Sequence, residues 1–241
     1  MRGFVDNTSL QDIADAIREK TGEETEYQPS KMGEAIRGIK IGGGGEDCLR
    51  YAKTISHISR GLLTSKEVVV NLESVTTLNN LFHTTNDENL CVEHITVNCP
   101  NQVTGVSGVF FSQFPTDTVL KHITLNVDIS KATAHINLFR GCEALEIIDG
   151  TPLDFSSASS LNIFNLCYSI VELRVVPQSI KVNLVCSYSP YLSNESIQSI
   201  IDGLADLTGQ TSQKITFHSS VVLKLTDEQK LTILLKNWEL T

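Results

Sequence analysis

The sequence predicts an α+β chain: a stack of short repeated units, a solenoid, entered through a helical hairpin and closed by an α/β cap. Three observations predict it. Two apolar markers recur in step along the middle of the chain, helical periodicity marks its first part, and two capped helices with a strand between them follow Pro190. Each element has its own local reason.

In the first segment, Thr8 and Ser9 precede Leu10, Ile13, Ala14 and Ile17, an apolar stripe at helical spacing. Thr8 with Gln11 fits a capping box, and Gly22 after Arg18 and Lys20 is a common helix stop. Pro29 and Ser30 open a second short helix carrying Met32, Ala35, Ile36 and Ile39. Two helices of this size bury too little surface to stand alone. Leu10, Ile13, Ile17, Met32, Ile36 and Ile39 are therefore the candidate assembly face, completing its core with other copies or another protein. Capping of the following domain is the alternative. The four glycines at 42–45 read as a flexible joint, which favours docking. They are no phosphate loop, because no Lys-Ser/Thr pair follows.

The repeats emerge when segments are aligned on one phenylalanine. VTTLNNLF at 75–82, VTGVSGVF at 103–110, ATAHINLF at 132–139 and ASSLNIF at 158–164 end on Phe82, Phe110, Phe139 and Phe164, at intervals of 28, 29 and 25. Strand-like segments follow: VEHI at 92–95, LKHI at 120–123, LEII at 145–148 and IVEL at 170–173, at intervals of 28, 25 and 25. The first two units carry four extra residues between the two markers. Such a unit is too small to bury its own apolar residues and does so by stacking on the next. Alternation turns Ile95, Val97, Ile123, Leu125 and Val127 inward and His94, Thr96, Asn98, His122, Thr124 and Asn126 outward. Val68, Val70 and Leu72 predict a strand before the first full unit, and Val182, Leu184 and Cys186 one after the last.

The closing segment reads as a helix capped by Ser193, running through Ile197, Ile200, Ile201, Leu204 and Leu207 to Gly209. A strand at 215–217 and a helix capped by Thr226 with Gln229 follow, and Trp238 belongs to the core of this cap. The predicted domains are a hairpin at 1–41, a linker at 42–47, the repeats at 48–187 and the cap at 188–241.

Composition narrows the function. A hydrophobic fraction of 41% with 20% charged residues is that of a folded chain, and a net charge of −9 argues against nucleic acid and against an anionic membrane surface. No run reaches the roughly 20 apolar residues that span a bilayer. The acidic first 30 residues lack the apolar core of a secretory signal, so synthesis and folding in the cytosol are expected. The six cysteines, with no CxxC pair, read as free thiols in a reducing compartment.

LF-x-x-C-x-x-L-x-x-I at 138–148, echoed at 163–173, resembles the leucine-rich repeats of the BspA-like kind, found in bacterial surface proteins and phage tail proteins. Thr85 and Gln113 depart from it at the cysteine position. IADAIREKTG at 13–22, YQPSKM at 27–32 and AIRGI at 35–39 resemble an N-terminal module of tail and minor structural proteins from phages and prophages of Gram-positive hosts. LADLTG at 204–209, KLTDEQ at 224–229 and Asn237-Trp238 are similar to the closing segment of such proteins. The resemblance implies a leucine-rich-repeat solenoid in a virion tail, assembled in the bacterial cytoplasm. It implies attachment and homo-oligomerisation through the hairpin, with the repeat surface meeting a host-surface protein or glycan, or another tail protein. It carries over no catalytic residue.

Candidate sites are weighed on that basis. The outward row His94, Thr96, Asn98, His122, Thr124 and Asn126 is the candidate binding face, rich in hydrogen-bonding groups; a solvated strand face is its plain alternative. Cys142 and Cys167 share one register and read as buried thiols rather than a disulfide or metal pair. Cys91 and His94 have zinc-like spacing without a second pair. No catalytic residues, metal ligands or cofactor are assigned: nucleophile elbow, dinucleotide fingerprint and HExxH are all missing. A bacterial repeat adhesin outside any virion and, further off, a cell-wall glycan hydrolase with a paired carboxylate site are the rival functions.

Overall fold

The computed structural model describes residues 65–73, 75–82, 91–110 and 119–241, all within the unit Gly44–Thr241. The predicted hairpin with its assembly face (Leu10, Ile13, Ile17, Met32, Ile36, Ile39), the linker, and Thr85 and Gln113 lie outside these residues. In chain order the described elements are β1 (Glu67–Asn71), β2 (His94–Gln102), β3 (His122–Asp128), β4 (Ala134–Ile136), β5 (Ile147–Gly150), β6 (Ser160–Asn162) and β7 (Leu184–Cys186). Then come α1 (Asn194–Gly203), β8 (Gln213–Phe217), α2 (Ser219–Val222), α3 (Asp227–Leu235) and β9 (Trp238–Leu240).

This corrects the expected α+β class and its leucine-rich-repeat solenoid. Among the described residues all strand pairings are parallel, in three separate sheets ordered β1-β2-β3-β5, β4-β6 and β7-β8-β9. The described helices are three and all follow Ser193. The physical reason is that recurrence fixes how far apart equivalent residues lie, not whether each marker becomes a strand. The unit at 170–173 forms no strand; Glu172 meets Ile147 only through an isolated bridge, and the four-stranded ladder ends at β5. The segment between markers contributes β4 and β6, which pair with each other instead.

Within the first sheet, Val68, Ile95, Ile123 and Ile148 lie side by side, as do Val70, Val97 and Leu125, all buried. Phe82, Phe110, Phe139 and Phe164 form a column of stacked rings, with centroids 5.6, 5.7 and 6.1 Å apart. Two residues before three of these rings the backbone turns left-handed, at Asn80 (φ 57°), Gly108 (φ 64°) and Asn137 (φ 58°), residue types that tolerate that region. Cys142 and Cys167 are buried, and their thiols donate to the carbonyls of Phe110 (3.1 Å) and Phe139 (3.0 Å) one layer back. Small thiols thus bind layer to layer.

The last segment is positioned by its caps. Ser193 accepts from the Ser196 amide at the start of α1, and Thr226 with Gln229 forms the reciprocal capping box of α3. The predicted run to Gly209 stops six residues early, at Gly203. Leu204 turns extended and bridges Ile180, and the Ala205 amide donates to the Ile180 carbonyl (2.8 Å). Gly203 permits this, because a Cβ there would stand 2.7 Å from Val175 Cγ1. Trp238 is buried, with Nε1 donating to the Ala205 carbonyl (2.9 Å).

Candidate functional site

The six residues of the predicted face come together on β2 and β3, whose register sets His94 beside His122, Thr96 beside Thr124 and Asn98 beside Asn126. Alternation along a parallel sheet buries every second residue and leaves these half-buried or exposed on the other side. Neighbouring strands extend the rows. Glu67 lies beside His94, Val69 beside Thr96, Asn71 beside Asn98, and Asp149 beside Thr124.

The rows are held by their own side chains. Asn126 Nδ2 donates to Asn98 Oδ1 (2.7 Å), and Asn98 Nδ2 donates to Asn71 Oδ1 (2.6 Å), an amide ladder across three strands. The imidazoles of His94 and His122 stack with centroids 4.0 Å apart and planes 1° from parallel. His122 Nε2 lies 2.9 Å from Asp149 Oδ2, and His94 Nε2 lies 3.0 Å from Thr124 Oγ1. Thr124 also bonds Asp149 through its side chain. An ionised carboxylate only accepts. The Thr124 hydroxyl therefore donates to Asp149 and accepts from His94 Nε2–H, while His122 Nε2–H donates to Asp149 directly. Both imidazoles are thereby fixed as Nε2–H tautomers.

The electrostatics follow from this wiring. Burial lowers the His94 pKa below the usual imidazole value, and a charge on His122 lowers it further, against the pull of Glu67 and Asp149. Burial works against ionisation of Asp149, but hydrogen bonds from Thr124 and His122 outweigh it and hold the carboxyl below its ordinary range. At the entry to the strands, Glu93 pairs with Lys66 (2.6 Å) and Lys121 (3.7 Å). Such exposed pairs add little stability.

Sequence reasoning missed Asp149, Glu67 and Asn71. The signal was available: Glu67 and Asn71 precede His94 and Asn98 by one 27-residue offset, and Asp149 follows Thr124 by the 25-residue interval of the later units.

Elsewhere, Cys91 Sγ lies 3.9 Å from the Ser65 carbonyl, so it and His94 are turned to different partners. Among the described residues no three His, Cys, Asp or Glu side chains converge as metal ligands, and no helix is long and apolar enough to cross a membrane. An open groove of about 510 Å³ runs beside α1, lined in part by Glu195, Gln198, Asp202 and Gln229. There Gln229 donates to Gln198 (3.0 Å) and Gln198 to Asp202 (2.8 Å). Glu195 and Asp202, seven residues apart on one helix, are separated by about 10 Å along its axis.

No family model matches the chain, and neither the curated proteins nor the solved structures give a match to it.

Proposed function

We propose that the protein is a non-enzymatic structural component of a phage or prophage tail that presents the His94–Asn126 face to a partner. That partner is a host-surface protein or glycan, or a neighbouring tail protein. The observation that carries the reading is the mutual bracing of the face: an amide ladder, a stacked imidazole pair and a shared carboxylate on adjacent parallel strands. Polar side chains already ordered by one another lose little further freedom on binding, which is what a recognition surface requires. The place in a tail rests on the resemblance of residues 13–39 and 204–238 to tail proteins. In this reading the hairpin at 1–41 attaches the chain and joins copies, and assembly occurs in the bacterial cytoplasm.

The test uses particles induced from a bacterium carrying the gene. The full chain is expected among the tail proteins by mass spectrometry, and deletion of residues 1–41 removes it. Thr96→Arg with Thr124→Arg leaves incorporation intact and weakens adsorption to cells by about tenfold or more, a loss of roughly 1.4 kcal/mol. Normal incorporation of the truncated chain refutes the attachment role. Unchanged adsorption by the double variant refutes the face.

A further inference from the structure

The outer side of the β1-β2-β3-β5 sheet combines spare hydrogen-bond acceptors with unbalanced negative charge. Glu67, His94 and His122 stand in one row across β1, β2 and β3, and Asp149 lies beside Thr124 on β5. These four strands contain no Lys or Arg. Lys66 and Lys121, just ahead of β1 and β3, are turned to Glu93 (2.6 and 3.7 Å), and Lys131 acts on Asp128. Neither Glu67 nor Asp149 has a Lys or Arg partner among the described residues. Glu67 is exposed, and the side chain of Asp149 is 48% exposed. Between them, the stacked imidazoles have committed Nε2–H to Thr124 and Asp149, and each keeps Nδ1 as an acceptor.

On the reading that this face is the recognition surface, we propose that its partner is a protein that lays a basic, extended segment across β1, β2, β3 and β5. Lys or Arg side chains of that segment meet Glu67 and Asp149, and a hydroxyl or amide between them donates to the imidazoles. Charge complementarity selects this occupant. Two carboxylates without a cationic partner, on a chain carrying −9, attract a cation and repel an anionic ligand. A neutral glycan satisfies the imidazole acceptors but leaves both charges unmatched. Spacing agrees with a peptide. Glu67 and Asp149 are three strand spacings apart across the sheet and two residues apart along it, roughly 16 Å between backbones. Residues four apart in an extended segment point to one side about 13–14 Å apart, and the flexible stem of Lys covers the difference. The residue midway, also on that side, then falls between β2 and β3, beside the stacked rings.

The test is fluorescence anisotropy of a labelled peptide with the core Lys-Ala-Ser-Ala-Lys, titrated with the full chain at low salt. Saturable binding is expected, weakening as salt is raised. A peptide of the same composition with its two lysines adjacent binds more weakly, and one with Glu for both lysines does not bind. Glu67→Gln with Asp149→Asn weakens binding at least about tenfold. Glu67→Gln alone, which touches no hydrogen bond of the braced network, weakens it in the same direction. Asp227→Asn with Glu228→Gln removes the same charge from α3 and leaves binding within about twofold of the parent. Circular dichroism identical to the parent establishes that the variants fold. No binding of the peptide, or equal loss in the face and α3 variants, overturns the proposal. So does a tetrasaccharide of N-acetylglucosamine that binds the face where the peptide does not. Impaired adsorption of particles with Thr96→Arg and Thr124→Arg, together with no peptide binding, keeps the recognition surface and discards the basic partner. Peptide binding with unchanged adsorption does the reverse.

Discussion

His135 makes stability depend on pH in a way that can be worked out from its surroundings. The residue lies on β4, fully buried, with its ring edge-on to Phe155 at 5.1 Å, and neither ring nitrogen has a hydrogen-bond partner among the described residues. Burial pushes its pKa down from 6.5 to about 4, with only Asp154 pulling the other way. Between those values the unfolded chain binds a proton that the folded chain excludes, so stability rises with pH. The contribution is complete above pH 6.5, is lost as pH falls below it, and stops changing below about pH 4. The full span is about 3 kcal/mol, and most of it appears between pH 7.5 and 4.5. Urea unfolding at those two pH values, followed by the fluorescence of the single tryptophan Trp238, measures it. His135→Leu is the perturbation. It removes the proton site and two unpartnered nitrogens, so it is expected to be the more stable chain at pH 4.5. Every ionisable group shared by the two chains cancels in the difference. The stability gap between variant and parent should widen by about 2–3 kcal/mol on acidification. A gap that moves by less than about 0.5 kcal/mol, or an NMR midpoint for His135 near 6.5, refutes the reasoning.

Three further outcomes follow from single contacts. Gly150 has φ +91°, and a Cβ there would stand 2.7 Å from Asn126 Oδ1 and 2.8 Å from the Leu125 carbonyl; Gly150→Ala should cost about 2–3 kcal/mol in urea unfolding. Asn98→Ala cuts the amide ladder at its centre, leaving Asn71 and Asn126 without that neighbour. It should cost about 1–2 kcal/mol, while Asn98→Gln fails to restore the lost stability because its amide is displaced by one methylene. Burial pushes the thiol pKa of Cys167 well up and that of Cys186 up to about 12. Both should resist iodoacetamide at pH 8 in the native chain and react on unfolding; labelling of either in native buffer, read by peptide mass spectrometry, would contradict the burial.

The polar face was legible because strict alternation in two long strands leaves only one choice of side: with Ile95, Val97, Ile123 and Leu125 inside, His94, Thr96, His122 and Thr124 must be outside. The phenylalanine column was legible for a similar reason, since a fixed interval brings identical side chains into contact. Partition into sheets was not. It depends on which backbone segments exchange hydrogen bonds, and β4 and β6 are three residues each, too short to show a period. The end of α1 was misplaced because Gly209 is the more familiar stop, whereas the helix ends at Gly203, where Leu204 turns extended and a Cβ on the glycine would crowd Val175. His135 could have been found. Four residues before their phenylalanines, Leu78, Val106 and His135 occupy one position, and a lone imidazole in an apolar series marks a buried titratable group.

The wiring of the face also sets what it can read. The amides of Asn98 and the hydroxyl of Thr124 are engaged within the sheet, and both imidazole Nε2 protons are committed to Thr124 and Asp149. A neutral imidazole with its proton on Nε2 has one polar atom left, the acceptor Nδ1. The stacked pair thus offers two acceptors about one strand spacing apart, suited to partner groups that donate, such as hydroxyls or amides. Protonation would turn each Nδ1 into a donor and place like charges in rings 4.0 Å apart. Burial and that repulsion hold His94 neutral below the usual imidazole range. The acceptor on His94 therefore persists into mildly acidic solution, and its preference comes from a fixed proton position rather than from net charge.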